Sequence, residues 1–346
     1  MKNIFKKTIF FLFDCVGISF LVGRVLDKKV TCVGYHSVYD EKNKKEFSHE
    51  LYANISVSTA DFEKQLLSLK RAGHTFITFA DLKKPELKKC KKPTIIYFDD
   101  GYKDNLVNAF PILHRLGIPA TVFVTVGLIE RTCFLWTLGL RQFLYGKNTP
   151  HVEVEQKIEN LKKLSKEERK KALRELYAQD RFQVDPNIFN IFMTWDDVCE
   201  LSRGGMEIGS HGMLHNKFSE AGEEELRAKV VNSKRIIEQK IGKKIDTISY
   251  PYGDHNRKVV NVVKEAGYSF AVTVIDGYNS FEDIMERPFE LKRINPGSNH
   301  VVNLTKIFLR NILSHKYFGH SDQISGGRLN PLSPGADPKY TPHRIV

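Results

Sequence analysis

The chain has 346 residues and a formal net charge of +12, from 53 Lys and Arg against 41 Asp and Glu. A hydrophobic fraction of 41% and a charged fraction of 27% are ordinary for a globular protein, which excludes a wholly disordered, collagen-like or multi-span membrane chain. The length suits one large α/β domain or two small ones, and the positive charge favours an anionic partner: nucleic acid, a membrane surface or an acidic substrate.

Residues 1–29 form the first predicted element. Lys2, Lys6 and Lys7 precede an apolar run over 9–22 that Asp14 interrupts. A spanning helix needs about 20 mostly apolar residues, and no small-residue cleavage pattern follows, so neither a span nor a secretory signal is favoured. We predict a basic amphipathic helix that lies on an anionic membrane surface, with a helix packed against the domain as the alternative.

The expected location is therefore cytoplasmic, at the inner face of the membrane, and we do not expect secretion. The five cysteines are scattered without C-x-x-C spacing. Such a set fits reduced thiols better than a disulfide framework.

From residue 30 onward, short β-branched or aromatic runs alternate with helical patterns, which predicts a (β/α) barrel or a doubly wound sheet. The predicted strands are 30–35, 75–79, 94–98, 121–125, 206–209, 247–250, 269–274 and 291–295. The predicted helices are 59–71, 104–116, 194–202, 223–241, 256–266 and 301–313.

Two segments depart from this alternation. Residues 128–192 are predicted to be a helical insertion rather than a separate domain, because too few apolar residues remain for a core of their own. Residues 314–346 are rich in Gly and Pro and are predicted to form a flexible C-terminal tail. The remaining α/β domain therefore covers 30–313.

Polar side chains follow several of the predicted strands. Asp99 and Asp100 come directly after one strand, and His211 follows another, with His215 four residues later. The C-terminal ends of parallel barrel strands open onto one face, so these residues are expected to converge. Two imidazoles and one carboxylate suit a divalent ion such as zinc, although each pair alone is common. Further polar residues at or near strand ends are His36, Tyr252 and Arg293.

Three motifs in chain order carry a family resemblance: 97–102 (YFDDGY), 209–215 (GSHGMLH) and 249–253 (SYPYG). With supporting stretches at 33–38 and 193–197, they resemble the polysaccharide deacetylases of the NodB-homology type. The resemblance implies an α/β fold, a distorted (β/α) barrel with seven or eight strands. It also implies hydrolysis of the N-acetyl group of an amino sugar in a cell-surface polysaccharide or its lipid-linked precursor.

The resemblance also implies residue roles. Asp100, His211 and His215 would hold a divalent metal, most simply Zn²⁺. Asp99 would be the general base for a metal-bound water that acts as the nucleophile. The backbone N–H of Tyr252 would help to stabilise the oxyanion.

The sequence departs from the family pattern in two places. Ser249 stands where the third motif often carries an Arg that orients the base. Arg293 is the substitute, unless it is a surface or carbonyl-bonding arginine. The late motif that usually supplies the general acid has no clean match. His36 is the candidate, unless it is a structural histidine, and His300 is the second choice.

Other functions stay open at this point. A catalytically silent glycan- or membrane-binding protein on the same scaffold would explain the two departures, and a deformylase of a lipid-linked sugar would use the same site. Nucleic-acid binding rests on charge alone, including six lysines between Lys83 and Lys92. Because no aromatic residues interleave there and no nucleic-acid motif is found, no nucleic-acid partner is expected. The expected partners are an N-acetylated glycan, either free or lipid-linked, and an anionic membrane surface.

Overall fold

A computed structural model describes residues 29–43 and 55–296. The predicted N-terminal helix, the helix predicted over 301–313, the C-terminal tail and His300 lie outside the described residues. In the ranges that are described, no helix combines the length and the apolar character needed to cross a bilayer.

The strands occur where the apolar runs predicted them, with three short additions, β2, β3 and β10. Their bounds are β1 (Lys29–Tyr35), β2 (Ser37–Tyr39), β3 (Ser56–Ser58), β4 (Thr75–Ile77), β5 (Pro93–Phe98), β6 (Ala120–Val124), β7 (Glu207–Ser210), β8 (Thr247–Ser249), β9 (Phe270–Asp276), β10 (Asn279–Ser280) and β11 (Leu291–Arg293).

Eight of these strands form a nearly closed barrel in the order β10-β1-β5-β6-β7-β8-β9-β11, and β4 adds to β5. All neighbours are parallel except β10, which runs antiparallel to β1. The barrel closes where Ile294 meets β1: Gly34 N–H donates to Ile294 O at 3.0 Å, and Ile294 N–H donates to Cys32 O at 2.7 Å. The predicted distorted (β/α) barrel is confirmed, and the doubly wound alternative is wrong.

Helices surround the barrel and cover the outer faces of its strands. Their bounds are α1 (Thr59–Arg71), α2 (Phe110–Leu116), α3 (Val126–Ile129), α4 (Trp136–Gly146), α5 (His151–Lys162), α6 (Lys166–Gln179), α7 (Trp195–Arg203), α8 (Glu223–Ile241), α9 (Arg257–Glu265) and α10 (Phe281–Glu286). Local signals fix several ends: the Ser58 hydroxyl accepts from Asp61 N–H to begin α1, and Gly117, in the left-handed region, ends α2. A π-helical turn, Asn105–Ala109, leads into α2.

Alternate residues of each strand face into the barrel, where aromatic rings fill the space below its open end. The Tyr97 and Phe123 rings meet edge to face at 5.5 Å. Two glycines make room for them: a Cβ on Gly34 would lie 2.4 Å from Tyr97 Oη, and one on Gly209 would lie 2.5 Å from the Phe123 ring. Asp99 follows Tyr97 by two residues and therefore continues the inner face at the open end.

The helices α3–α6 lie between β6 and β7, in the segment predicted as an insertion. Helices α4–α6 bury nine side chains against one another: Trp136, Leu140, Phe143, Leu144, Val154, Ile158, Leu161, Leu173 and Tyr177. The prediction that this segment has too few apolar residues for a core of its own is therefore wrong. The guanidinium of Arg141 also binds both carboxylate oxygens of Glu155, at 2.8 and 2.9 Å, and joins α4 to α5. The exact domain boundaries stay a prediction.

Candidate active site

Asp100, His211 and His215 meet at the C-terminal end of the barrel strands. Asp100 Oδ1 lies 3.3 Å from His211 Nε2 and 3.1 Å from His215 Nε2. The three offered ligand atoms lie within 4.8 Å of one another. Asp100 has a φ of 75° and His215 a φ of 52°, both unusual for residues other than glycine. The structure thus brings together the three residues predicted as metal ligands.

The hydrogen bonds around this cluster show what it can hold. His211 Nδ1 donates to the carbonyl of Ser249 at 2.8 Å, so the lone pair of a neutral ring at Nε2 points toward Asp100 Oδ1. Two acceptors at that distance repel unless a proton or a cation lies between them. Asp100 Oδ1 is buried and has no hydrogen-bond partner among the described residues. This donor set fits a divalent cation, and the Ser249 carbonyl fixes the ring as in many metal sites.

The pKa values of the cluster reflect strong coupling. Burial raises the pKa of Asp100, but the neighbouring imidazoles of His215 and His211 outweigh it and hold that pKa well below its ordinary range. Burial lowers the pKa of His211, but the carboxylates of Asp99 and Asp100 outweigh it and raise that pKa. The site therefore favours an ionised carboxylate, which is the ligand form a metal needs.

Asp99 lies beside the cluster on the inner face of the barrel. Its backbone N–H donates to Tyr35 O at 3.0 Å, which continues the pairing of β5 with β1. Its Oδ2 accepts from Arg293 Nη1 at 3.2 Å. Its Oδ1 is buried, lies 3.9 Å from His211 Nδ1, and has no hydrogen-bond partner in residues 29–43 and 55–296. One oxygen of this carboxylate is held and the other is available to a proton.

Arg293 reaches Asp99 from β11, the last strand of the barrel. Its side chain is 12% exposed and that of Asp99 is 2% exposed, so the ion pair is largely shielded from water. The structure therefore does not place Arg293 as a surface arginine. Ser249 is also buried at this end, where its carbonyl orients His211.

His36 follows β1 on the same inner face and is partly exposed. Burial lowers the pKa of its imidazole, while the carboxylates of Asp100 and Asp99 oppose that shift. Its carbonyl accepts from Asn105 Nδ2 at 2.8 Å. The same Nδ2 donates to Asp104 Oδ1 at 3.0 Å, and that buried carboxyl group also accepts from the Ser37 hydroxyl. A buried polar network thus fixes the backbone that carries His36.

Tyr252 connects the site to the insertion. Its φ of 60° lies in the left-handed region, and its ring stands edge to face with His215 at 4.7 Å. Its hydroxyl accepts from Trp136 Nε1 at 3.2 Å. Trp136 belongs to α4 and is buried, and the Arg169 guanidinium lies over its ring at 5.4 Å.

Two features of the site went unpredicted. Trp136 lies 116 residues from Tyr252 in the chain, and only a general apolar patch marks it in the sequence. The second feature is the buried polar pair Asp104 and Asn105. The pair closely follows the first motif, and this position after a strand-end glycine was the sequence signal that could have indicated it.

Comparisons with known proteins agree with this geometry. The family model described as polysaccharide deacetylase matches residues 86–271. A Staphylococcus aureus protein named poly-beta-1,6-N-acetyl-D-glucosamine N-deacetylase is 26% identical over 223 residues, which are 64% of this chain and 62% of that protein. YxkH of Bacillus subtilis, whose name assigns it to the polysaccharide deacetylases, is 22% identical over 247 residues, 70% of this chain and 67% of that protein. The chain thus spans about two thirds of these curated relatives or slightly less.

A solved structure shows the same fold. The Streptococcus pyogenes deacetylase PplD, in complex with acetate, superposes with a TM-score of 0.57 at 20% identity. The match covers 81% of this chain and 98% of that one. At this identity the likeness supports the barrel architecture.

Proposed function

The chain belongs to the polysaccharide deacetylase family, and on that premise we propose that it hydrolyses the N-acetyl group of an amino sugar in a cell-surface polysaccharide. The observation that carries the proposal is the free carboxylate oxygen of Asp99 beside the Asp100, His211 and His215 cluster. The name of the Staphylococcus aureus relative supports a β-1,6-linked N-acetylglucosamine polymer as the substrate class.

Asp100, His211 and His215 would hold a divalent ion, for which we propose zinc. Two imidazoles and a carboxylate leave coordination positions open, as in catalytic zinc sites. When bound, such an ion polarises an amide carbonyl and lowers the pKa of a coordinated water toward about 7. The Ser249 carbonyl holds the His211 ring, so the ligand geometry is set before the ion arrives.

Asp99 would act as the general base. Its Oδ1 would take the proton of the attacking water, while Arg293 holds Oδ2 in place. The backbone N–H of Tyr252 would donate to the oxyanion that forms on the amide carbonyl. The left-handed backbone of Tyr252, braced by Trp136, keeps that N–H in a fixed direction.

His36 would complete the reaction. When the C–N bond of the amide breaks, the leaving amine needs a proton, and an imidazole on the inner face can deliver it. Burial lowers the pKa of His36, and this favours loss of the proton to the amine once the ring is protonated.

We further propose that the protein works in the cytoplasm at the inner face of the membrane, on a lipid-linked glycan. Residues 1–29 carry six Lys and Arg against two Asp, together with an apolar run. This composition suits an anionic lipid surface.

The decisive experiment is an acyl-release assay of the zinc-loaded protein on free and lipid-linked N-acetylglucosamine oligomers. Acetate release, faster on the lipid-linked substrate, is expected; formate release from formylated sugars alone would assign a deformylase instead. The double variant His211→Ala/His215→Ala should lose bound zinc in elemental analysis. Asp99→Asn should keep zinc and lose activity, and an Asp99→Asn protein with wild-type turnover would refute the mechanism.

A further inference from the structure

A lysine segment, residues 83–92, forms a basic surface that the catalytic chemistry does not use. Five of its six lysines are exposed. Two of them are neutralised locally, Lys83 by Asp246 at 2.6 Å and Lys84 by Asp81 at 2.6 Å. The lysines that form no ion pair with any described residue are Lys88, Lys89, Lys91 and Lys92.

The fold holds these lysines outward. Leu87 is buried in the inner cluster of the barrel, so it anchors the segment while its neighbours Lys88 and Lys89 face solvent. Lys92 is fixed differently, because its Nζ donates to the carbonyl of Ala72 at 2.9 Å. Three exposed lysines of the segment therefore have no acceptor among the described residues: Lys88, Lys89 and Lys91. The segment also contains one exposed acidic residue, Glu86.

The lysine segment lies at the end of the barrel opposite the candidate active site. It leads into Pro93, the first residue of β5, and the parallel register pairs Thr31 with Thr94. Lys29 at the start of β1 therefore lies next to Lys92, at the same end of the barrel as the lysine segment. The candidate active site lies at the other end of β5, about 20 Å away for six residues at about 3.3 Å each.

We infer that this end of the barrel rests on an anionic lipid surface, with the open end of the active site facing away from it. A glycan anchored in the same leaflet would then have to extend about 20 Å along the barrel to reach the site. The inference extends the membrane partner proposed for residues 1–29 to a folded surface, and it does not depend on the reaction. Each lysine near an anionic leaflet strengthens binding about fivefold. A lipid surface is favoured over nucleic acid because the segment presents no aromatic ring on which bases could stack.

The test uses the full-length protein and sedimentation with vesicles of phosphatidylcholine, with and without phosphatidylserine. The variant Lys88→Gln/Lys89→Gln/Lys91→Gln should bind phosphatidylserine vesicles at least tenfold more weakly than wild type. The matched control is Lys157→Gln/Lys163→Gln/Lys171→Gln, which removes three exposed and unpaired lysines from α5 and α6 and their connection. This control should stay within about twofold of wild type, since α5 and α6 pack on α4, which contacts the open end through Trp136 and Tyr252.

Equal losses in the two triple variants would overturn the inference, as would tighter binding of the wild type to RNA or DNA than to the anionic vesicles. Amine labelling of the wild type gives a second readout that needs no variant. Vesicles should protect Lys88, Lys89 and Lys91 and leave Lys157 labelled, and the reverse pattern would overturn the proposed orientation. Because neither measurement uses a glycan, failure here is distinguishable from failure of the proposed deacetylation.

Discussion

Replacing Arg293 tests whether a charge supplied by the last strand supports Asp99, the proposed catalytic base. Arg293→Gln removes the guanidinium that lies 3.2 Å from Asp99 Oδ2 and keeps a polar side chain in its place. At that distance and an effective dielectric constant of about 20, the gross attraction is about 5 kcal/mol, of which desolvation offsets a large part.

The expected result is therefore a loss of kcat/KM for acetate release in Arg293→Gln. That loss should be about 10- to 100-fold, because Oδ2 of Asp99 is no longer held and Oδ1 is less well placed to take a proton. Arg293→Lys should lie between, because it keeps the charge and loses the planar fork.

Arg287→Gln is the matched control, because Arg287 is 55% exposed and pairs with Asp283 on the surface. It should leave kcat/KM unchanged. Equal losses in Arg293→Gln and Arg293→Lys would assign Arg293 a purely structural role. An unchanged kcat/KM in Arg293→Gln would refute the reasoning altogether.

Three further predictions test the surroundings of the site. Trp136→Phe removes the donor to the Tyr252 hydroxyl and should lower kcat by up to about tenfold with little change in KM. The control Trp195→Phe loses a hydrogen bond to Glu130 outside the site and should leave kcat unchanged. Equal effects of the two substitutions would contradict the role of Trp136 in bracing Tyr252. Burial raises the pKa of Asp104 to about 7, against about 3.9 in an unfolded chain. Between these values the folded protein holds a proton that the unfolded chain loses. The stability that the bound proton contributes is therefore lost as the pH rises from about 4 to 7. Urea unfolding should show that the free energy of unfolding of Asp104→Asn rises by about 2 to 3 kcal/mol relative to wild type between pH 5 and pH 8. The same pH dependence of this free energy in both proteins would argue against a buried protonated carboxyl. Gly34→Ala should destabilise the fold by about 1 to 3 kcal/mol, because its Cβ would lie 2.4 Å from Tyr97 Oη. In the control Gly146→Ala the new Cβ meets no atom within 4 Å, so this variant should be neutral or slightly stabilising. Similar melting temperatures for the two variants would refute this packing argument.

Much of the barrel could be predicted from the sequence, because buried parallel strands are continuous apolar runs. The run before Asp99 is buried at all six positions of β5, and its helical neighbours carry clear caps. The convergence of Asp100 with His211 and His215 followed from a topological rule, since the C-terminal ends of parallel strands share one face. Local pattern and barrel topology together sufficed for that part of the site.

The remaining features depend on contacts between distant segments. The insertion forms its own apolar cluster because the apolar helix α4 packs against α5 and α6, whose apolar faces are weak in sequence. The bond from Trp136 to Tyr252 depends on how α4 docks over the barrel, which no local signal encodes. The antiparallel β10 has two residues, too few for a periodic pattern. Tertiary packing, rather than propensity, decided these features.

The absence of an arginine at Ser249 does not indicate a catalytically silent protein, because the closure of the barrel brings another arginine to Asp99. Residue Ile294, next to Arg293, bonds to β1, and β1 pairs with β5, so a side chain 194 residues away in the chain reaches Asp99. Asp99, the proposed base, therefore has a cation beside it that another strand supplies. A protein that only bound glycan would gain nothing from burying unpaired atoms of two carboxylates and an imidazole, because such atoms cost stability unless a bound ion or another partner compensates them. The arrangement is thus better explained by turnover than by binding alone.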